Sequence, residues 1–462
     1  MNMKKKLSIE TWGCQMNVAD SESMATGLEK EYHLISNANE ADLIVLNTCH
    51  IREKARHKVV SRLGVLAEQK MKNKNLIVVV AGCVAQAEGK KLLAQNQTID
   101  ILLGPGRLEE LPRLLSDFKE TRKQSLAVGF PKLNQKKEVQ SLESNNQTTV
   151  RSNAPLNGKN EVSRFVTIQQ GCNNYCTFCV VPFTRGREIS LSPHSIIEQS
   201  KAFIRRGAKE ITLLGQNVNS YGLDLTPDGS LEESEETPFV RLLRQVSEID
   251  GLQSLRFTTS NPHDFTFPLA KLFGEKKVLG KYLHLPVQSG SDQVLLAMKR
   301  KVTVAQFKQR ITWLKEFVPD IAVSTDIIVG FPGETEEDFE ATMELVRWTR
   351  FSFAFAFKYS QRKNTPATRF KDQIPEEVKS ARLNRLNALL NEITIEENKK
   401  SLGLTMTVLF LYKSKKEENI YYGRNEHFRL IRVFSSFCLV GQKVSVKVES
   451  CSKIALNAKL LF

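Results

Sequence analysis

The sequence has no long hydrophobic run, although 41% of its 462 residues are hydrophobic. No stretch approaches the roughly 18 consecutive apolar residues of a transmembrane helix, and residues 1–10 lack the apolar core of a signal peptide. We therefore expect a cytoplasmic protein without a membrane anchor. In that reducing compartment the eight cysteines are expected to be metal ligands before they are disulfides.

The cysteines in the middle of the chain form a group of three, with no fourth cysteine close by in the sequence. Cys172, Cys176 and Cys179 are spaced Cys-x3-Cys-x2-Cys and follow residues 164–168, which have the pattern of a short buried strand. A structural zinc site usually has four protein ligands, whereas an iron–sulfur cube held by three thiolates keeps one iron open. Zinc and thiols without a metal remain alternatives. The spacing resembles that of radical S-adenosylmethionine (SAM) enzymes, in which SAM occupies the open iron.

A second set of three cysteines follows three other predicted strands. Cys14, Cys49 and Cys83 each come just after a short apolar stretch, at residues 7–11, 43–46 and 76–80. The carboxyl ends of parallel strands lie on one edge of a sheet, so these cysteines are expected to converge. The alternative is that each one is a small buried hydrophobic residue.

The order of predicted strands and helices indicates an α/β protein in several units. Residues 1–120 are expected to form a parallel-sheet α/β domain, 121–162 a polar linker, and 163–395 a partial (β/α)6 barrel. Residues 396–462 contain short alternating strands, which predict a small β-barrel. Cys438 and Cys451 are expected to be buried in its core.

Polar residues follow several strands of the predicted barrel. If these strand ends share one rim with the cysteine loop, a SAM nucleoside and a substrate would lie there. The candidate residues on the SAM side are Gln216, Asn217, Gln288 and Asp326. Each segment could also be an ordinary turn, and Thr335 with Asp338 could be a helix cap only.

Positive charge is in excess, with a formal net charge of +15. Residues 400–462 alone contain 11 Lys and Arg against 4 Glu, a net of +7. Basic residues interleaved with Tyr and Phe on a small barrel are typical of nucleic-acid binding. A solvated basic surface, or a barrel used for docking, is the alternative.

Seven motifs resemble those of the radical-SAM methylthiotransferases, and within them the MiaB branch of tRNA-modifying enzymes. They are WGCQMN at 12–17, NTCHIREKA at 47–55, GCVAQ at 82–86, GCNNYCTFC at 171–179 with TRG at 184–186, GQNVNSY at 215–221, LHLPVQSGS at 283–291 and TDIIVGFPGET at 325–335. The C-terminal barrel resembles a TRAM domain. The sequence departs from the family at Leu191, where Arg is usual shortly before Pro193, and in its last strand, which lacks the usual Gly.

The resemblance implies two [4Fe-4S] clusters. The SAM-binding cluster would be held by Cys172, Cys176 and Cys179, and an auxiliary cluster that carries the sulfur by Cys14, Cys49 and Cys83. The implied reaction adds a methylthio group to C2 of N6-dimethylallyladenosine at position 37 of tRNA. The implied RNA partner is the anticodon stem-loop of that tRNA. The implied partners also include an electron donor, such as a flavodoxin-type reductase system, and iron–sulfur assembly proteins.

Other substrates remain open within the same chemistry. They are tRNA with threonylcarbamoyl-adenosine and a ribosomal-protein aspartate, and the basic barrel favours RNA. A non-catalytic iron–sulfur RNA-binding protein is the alternative from another class. It would need neither open irons nor a polar rim.

Overall fold

The computed structural model describes residues 4–50, 53–130, 162–225 and 236–461. Strands and helices alternate along the N-terminal part of the described chain, as the sequence predicted. They are β1 (Lys5–Trp12), α1 (Gln15–Gly27), β2 (Tyr32–Leu34), β3 (Leu43–Thr48), α2 (Glu53–Lys72), β4 (Ile77–Ala81), α3 (Cys83–Gln95), β5 (Ile101–Leu103), α4 (Leu111–Thr121) and β6 (Ser125–Ala127).

The described N-terminal strands form one six-stranded parallel sheet in the order β2-β1-β3-β4-β5-β6. Every residue of β3 and β4 is buried, because a separate apolar cluster covers each face of the sheet. This explains why residues 43–46 and 77–81 are continuously apolar rather than alternating. The carboxyl ends of β1, β3 and β4 are neighbours at one edge.

The N-terminal unit extends further than the sequence predicted. Strand β6 pairs in parallel with β5, so the sheet continues past the expected domain end at residue 120. The sequence predicted three strands here and missed β2, β5 and β6, which have only three residues each. Most of the predicted polar linker, residues 131–161, lies outside the described residues.

The central part repeats the alternation of strands and helices. Its elements are β7 (Ser163–Thr167), β8 (Gln169–Gln170), α5 (Val181–Thr184), β9 (Ile189–Ser190), α6 (Pro193–Arg205), β10 (Glu210–Leu214), α7 (Pro238–Ser247), β11 (Ser254–Phe257), α8 (Phe267–Glu275), β12 (Tyr282–His284), α9 (Asp292–Ala297), α10 (Val304–Phe317), β13 (Ala322–Val329), α11 (Glu336–Thr349), β14 (Phe353–Lys358) and α12 (Glu376–Lys399).

Six central strands of the described chain form two parallel three-stranded sheets, β11-β10-β7 and β12-β13-β14. One apolar cluster joins them, since it includes Val166 and Ile211 from the first sheet and Leu283 and Val323 from the second. The predicted partial barrel is thereby confirmed. Thr335 is the N-cap of α11 and forms a capping box with Asp338, as the local pattern indicated.

The C-terminal part is a small closed barrel of strands in the order β15-β16-β17-β19-β18. The strands are β15 (Thr405–Lys413), β16 (Ile420–Arg424), β17 (Leu430–Phe434), β18 (Lys443–Cys451) and β19 (Leu456–Leu460). The predicted barrel is confirmed. The prediction that Cys438 is buried in its core is wrong, because the residue is exposed in the turn before β18, and Cys451 is only half-buried. The last strand, which lacks the Gly usual in the family, still closes the barrel.

The turn between β16 and β17 attaches the C-terminal barrel to the central unit. The backbone N–H of Lys281 donates to the carbonyl of Glu426 at 2.8 Å. The ring of Phe428 stacks on Tyr282 with centroids 4.6 Å apart. Tyr282 begins β12, so the barrel docks at the amino ends of the central strands, the end opposite the cysteine loop. Of the helices in the described ranges, none has the length and hydropathy required to cross a lipid bilayer.

Candidate metal centres

The structure brings Cys14, Cys49 and Cys83 together at the carboxyl edge of the N-terminal sheet. Cys14 is the N-cap of α1, Cys49 follows β3 directly, and Cys83 begins α3. The N–H of Cys49 donates to the carbonyl of Trp12 at 2.9 Å, which holds the ends of β1 and β3 side by side. The Cys49 thiol is hydrogen-bonded to Cys14, and Cys83 is close enough to interact electrostatically with Cys14.

Two glycines allow this close approach. Gly82 has φ +90°, and a Cβ there would collide with the side chain of Asn47 and the backbone of Thr48. A Cβ at Gly13 would collide with Cys49. Glycine is therefore required at both positions because the three loops are packed against one another at the thiols.

The electrostatic environment favours the thiolate at Cys14, and the thiolate is the metal-binding form of cysteine. The hydrogen bond with Cys49 lowers the pKa of Cys14 to about 6, and the positive charge of Arg185 acts in the same direction. Burial raises the pKa of Cys83, and Arg185 opposes that rise. A guanidinium from the central unit thus lies beside the N-terminal thiols.

The second set, Cys172, Cys176 and Cys179, lies in the loop after β8, and its thiols interact electrostatically with one another. Each sulfur also accepts at least one N–H donor. Asn174 Nδ2 lies 3.6 Å from the Cys172 sulfur, Arg300 Nη1 lies 3.7 Å from that of Cys176, and Val181 N lies 3.5 Å from that of Cys179. Three clustered thiols with at least one donor to each sulfur fit the ligand set of an iron–sulfur cluster.

Burial raises the pKa of Cys172 to about 11 and that of Cys179 to about 12. A coordinated metal deprotonates a thiol outright, so a bound cation offsets this cost. The set therefore fits a metal group that brings its own positive charge.

The four predicted SAM-side residues fall on one rim of the central unit. Gln216 accepts a hydrogen bond from the N–H of Gly171, next to Cys172, and Asn217 follows it in the chain. The N–H of Gln288 donates to the carbonyl of Asp326 at 2.9 Å. Gln216 and Asn217 reach the cysteine loop from the first sheet through the Gly171 hydrogen bond. Gln288 and Asp326 lie on the side of the second sheet, where Arg300 connects the Cys176 sulfur to the carbonyl of Pro286.

This rim contains buried polar atoms that have no hydrogen-bond partner among the described residues. They are Gln169 Oε1, Gln216 Nε2, Asn217 Oδ1 and Ser260 Oγ. Buried polar groups are normally paired, so such a group of atoms indicates a place for a polar ligand. Thr259 and Gln288 at the same rim have φ of +70° and +79°, the left-handed strain that often occurs at binding sites. The donor set and the open hydrogen-bonding positions fit a nucleoside with an amino-acid group, such as SAM.

Sequence reasoning missed four residues that contact or lie close to the two thiol sets. Arg185 and Arg300 interact with the first and second sets respectively, and Asn17 and Asn47 are fully buried beneath the first. All but Arg300 lie inside motifs that the sequence made conspicuous. At the family departure, Leu191 is buried, and its carbonyl accepts the hydroxyl of Tyr221 at 2.6 Å.

Comparisons with known proteins agree with this geometry. Residues 6–104 match the model described as uncharacterized protein family UPF0004, and residues 166–346 match the radical SAM superfamily. The first match contains Cys14, Cys49 and Cys83, and the second contains Cys172, Cys176 and Cys179. Membership of the radical SAM superfamily implies a [4Fe-4S] cluster and SAM.

The chain is also similar to curated proteins over its whole length. It is 41% identical to a tRNA-2-methylthio-N(6)-dimethylallyladenosine synthase of Clostridium botulinum, over 99% of this chain and 98% of that protein. It is 41% identical to the synthase of the same name from Pseudomonas aeruginosa, over 99% of each chain. Among solved structures, the radical SAM methyltransferase TsrM from Kitasatospora setae has the same fold, with a TM-score of 0.56 at 13% identity over 91% of this chain and 81% of TsrM. The chain therefore belongs to the radical SAM methylthiotransferase family that includes the tRNA-2-methylthio-N(6)-dimethylallyladenosine synthases.

Proposed function

We propose that this protein is a tRNA methylthiotransferase that adds a methylthio group to C2 of N6-dimethylallyladenosine at position 37. The observation that carries the proposal is the presence of two three-thiol sets on a chain that matches synthases of that name over 99% of its length. A set of three thiols leaves one metal position free for another ligand. A closed structural site would have a fourth protein ligand instead.

The six cysteines have separate roles in this proposal. Cys172, Cys176 and Cys179 would hold the [4Fe-4S] cluster that binds SAM, and Cys14, Cys49 and Cys83 would hold a second [4Fe-4S] cluster. When bound, these groups supply one-electron cleavage of SAM and the sulfur that is transferred. Asn174, Arg300 and the backbone of Val181 orient the sulfurs of the first set through their N–H groups.

The rim residues would hold SAM beside the cysteine loop. Gln216 Nε2 offers an open donor, which suits the carboxylate of the amino-acid part, and Asn217 Oδ1 offers an open acceptor, which suits its ammonium. Gln288 and Asp326 approach from the opposite sheet and suit the ribose hydroxyls. Asn217 and Gln288 are buried, which limits the access of water to this side of the rim.

The C-terminal barrel would bind the anticodon stem-loop. Tyr412 is partly exposed on β15 and stacks on Tyr422 with centroids 5.4 Å apart. Lys413, next in the chain, lies 5.8 Å from the centre of the Tyr421 ring. Aromatic and basic residues together suit stacked bases and phosphates. The target adenosine lies in a loop, where extruding a base costs less than in a duplex.

Three further expectations belong to the same proposal. A flavodoxin-type reductase system supplies electrons, iron–sulfur assembly proteins load the thiol sets, and the protein works in the cytoplasm. The net charge of +15 is compatible with an acidic protein donor and with RNA.

Mass spectrometry of tRNA nucleosides tests the function. Reconstituted protein, SAM and a reductant are incubated anaerobically with tRNA that contains either N6-dimethylallyladenosine or threonylcarbamoyl-adenosine. A methylthio mass gain on the first tRNA alone is expected, and it should disappear in Cys176→Ala. A gain only on the second would mean that the substrate is tRNA with threonylcarbamoyl-adenosine. No gain on either, with SAM still cleaved, would favour a protein target, and intact RNA binding without SAM cleavage would favour a non-catalytic protein.

A further inference from the structure

Arg185 lies between the two thiol sets and is almost fully buried, at 3% exposure. Its backbone belongs to the central unit and is anchored near two of the cysteines there. The N–H of Arg185 donates to the carbonyl of Val181 at 2.7 Å, and the N–H of Val181 in turn lies 3.5 Å from the Cys179 sulfur. The carbonyl of Gly186 accepts the N–H of Cys172 at 3.2 Å.

The side chain of Arg185 extends in the other direction, into the N-terminal unit. Its guanidinium forms a two-point ion pair with Asp20 on α1, with Nη2 to Oδ2 at 2.6 Å and Nη1 to Oδ1 at 3.2 Å. It is also hydrogen-bonded to Cys83 and acts electrostatically on Cys14. One residue thus connects a loop that carries one set of thiols with the thiols of the other set.

A buried ion pair is a weak source of stability, because removing two charges from water cancels most of their attraction. The two-point geometry instead fixes position and direction. With the guanidinium held by Asp20 on one side, its remaining N–H groups point towards the N-terminal thiols. The two partners act on those thiols with opposite signs, since Arg185 favours negative charge on Cys14 and Cys83 and Asp20 opposes it.

We propose that Arg185 is a positioning residue that holds the two thiol sets in register and, with Asp20, tunes the reduction potential of the cluster on Cys14, Cys49 and Cys83. This inference rests on the two-cluster function proposed above. A positive charge beside a cluster stabilises its reduced, more negative form and raises its potential. A neighbouring carboxylate lowers it. The loop of Cys172, Cys176 and Cys179 contacts this segment through backbone groups, and the positive charge that acts on Cys179 is that of Arg300. We therefore expect the Arg185 charge to have little effect on the potential of a cluster held there.

Redox titrations monitored by electron paramagnetic resonance test this on the full chain with one cluster at a time. In a background with Cys172, Cys176 and Cys179 changed to Ala, we expect Arg185→Gln to shift the midpoint of the N-terminal cluster to a more negative potential. Asp20→Asn should shift it to a more positive potential. In the reciprocal background, without Cys14, Cys49 and Cys83, both substitutions should leave the midpoint unchanged.

The opposite signs separate tuning from simple disruption, since a loosened site would respond in one direction to both changes. Arg185→Lys keeps the charge and should retain most of the potential while losing the two-point pair. Arg62→Gln, which breaks another two-point pair with Glu10 in the same unit, is the matched control and should cause no shift.

Three results would overturn the inference. They are equal shifts of the midpoint potential in both backgrounds, shifts of the same sign for Arg185→Gln and Asp20→Asn, and an unchanged midpoint potential with the cluster retained. These readouts need no tRNA, so failure of the proposed substrate leaves them intact. Failure of the wild-type chain to bind iron at Cys14, Cys49 and Cys83 would instead refute the two-cluster proposal itself.

Discussion

Asn17 and Asn47 form a reciprocal pair of hydrogen bonds directly beneath the N-terminal thiols. Asn17 Nδ2 donates to Asn47 Oδ1 at 3.1 Å, and Asn47 Nδ2 donates to the carbonyl of Asn17 at 2.8 Å. Both residues are completely buried. Asn17 Oδ1 also accepts from the N–H and the sulfur of Cys14 at 3.3 Å each. The pair therefore sets where Cys14 lies relative to the strand that leads to Cys49.

Asn47→Asp should prevent a cluster from binding at Cys14, Cys49 and Cys83, and it should leave the cluster at Cys172, Cys176 and Cys179 in place. The substitution replaces the Nδ2 donor with an oxygen that faces the Asn17 carbonyl, so a buried acceptor loses its partner. We expect iron to fall from about eight atoms per chain to about four, the content of one [4Fe-4S] cluster. Iron and sulfide assays on the reconstituted protein measure this.

Asn75→Asp, at an exposed position of the same unit, is the control and should keep full iron content. Unchanged iron in Asn47→Asp would mean that the amide pair does not position Cys14. Loss of all iron would mean that the two sets are not independent.

Glu188 should make the stability of the metal-free protein depend on pH. Burial raises its pKa to about 8, and Asp224 and Asp264 add to this against the hydrogen bond from Ser220. Between its unfolded pKa and 8 the folded state binds more protons than the unfolded state. Stability therefore falls as pH rises through this window and levels off above it. The loss is up to about 5 kcal/mol, at 1.36 kcal/mol per pKa unit.

Glu188→Gln should flatten this dependence, because the amide cannot ionise. Urea unfolding at pH 5, 6, 7 and 8 measures the difference, with exposed Glu198→Gln as the control. An equal slope in wild type and Glu188→Gln would show that another group causes it.

Strand patterning and cysteine spacing were sufficient to predict the three-part architecture. The reason is physical, because parallel strands such as β3 and β4 are buried on both faces, and residues 43–46 and 77–81 are therefore uninterrupted apolar runs. Cysteines at equivalent strand ends then converge by topology alone. Three-residue strands such as β2 and β6 leave no such pattern, which is why the first domain was predicted to end too early.

Long-range partners of the site could not be predicted in this way. Arg185 meets Asp20 across 165 positions of sequence, and Arg300 meets Cys176 across 124. No local periodicity in the sequence identifies contacts between residues so far apart in the chain. Burial was also misjudged for Cys438, because its apolar neighbours belong to a turn rather than to an inward-facing strand position.

Phe428→Ala should loosen the C-terminal barrel from the central unit. The ring lies between Tyr282 and two guanidinium groups, 4.5 Å from Arg256 and 3.7 Å from Arg424. Its removal leaves a cavity and two cations, the buried Arg256 and the half-buried Arg424, without their aromatic face, at a cost of about 3 kcal/mol. Hydrogen exchange should become faster at Lys281, whose N–H donates across this interface.

Phe428→Tyr keeps the ring and should retain slow exchange at Lys281. Phe428→Gly relieves the positive φ of +62° at this position but still removes the ring. Fast exchange in Phe428→Gly as well would identify the ring as the cause. Slow exchange in both truncated variants would show that backbone contacts alone hold the barrel.

Tyr412→Ala should weaken binding of the anticodon stem-loop without changing the chemistry at the thiols. Loss of one stacking platform costs about 1–3 kcal/mol, or roughly 5- to 150-fold in affinity. Lys413→Gln should reduce the slope of log affinity against log salt by about one, as expected for one phosphate contact.

Trp348→Ala is the matched control, because this partly exposed ring also has two lysines over it, Lys308 and Lys315, but lies on α11 of the central unit. Anisotropy titrations with a labelled stem-loop at several salt concentrations separate the two effects. If Trp348→Ala weakened binding and Tyr412→Ala did not, the RNA would lie on the helical layer of the central unit, and the basic barrel would serve only as a docking domain.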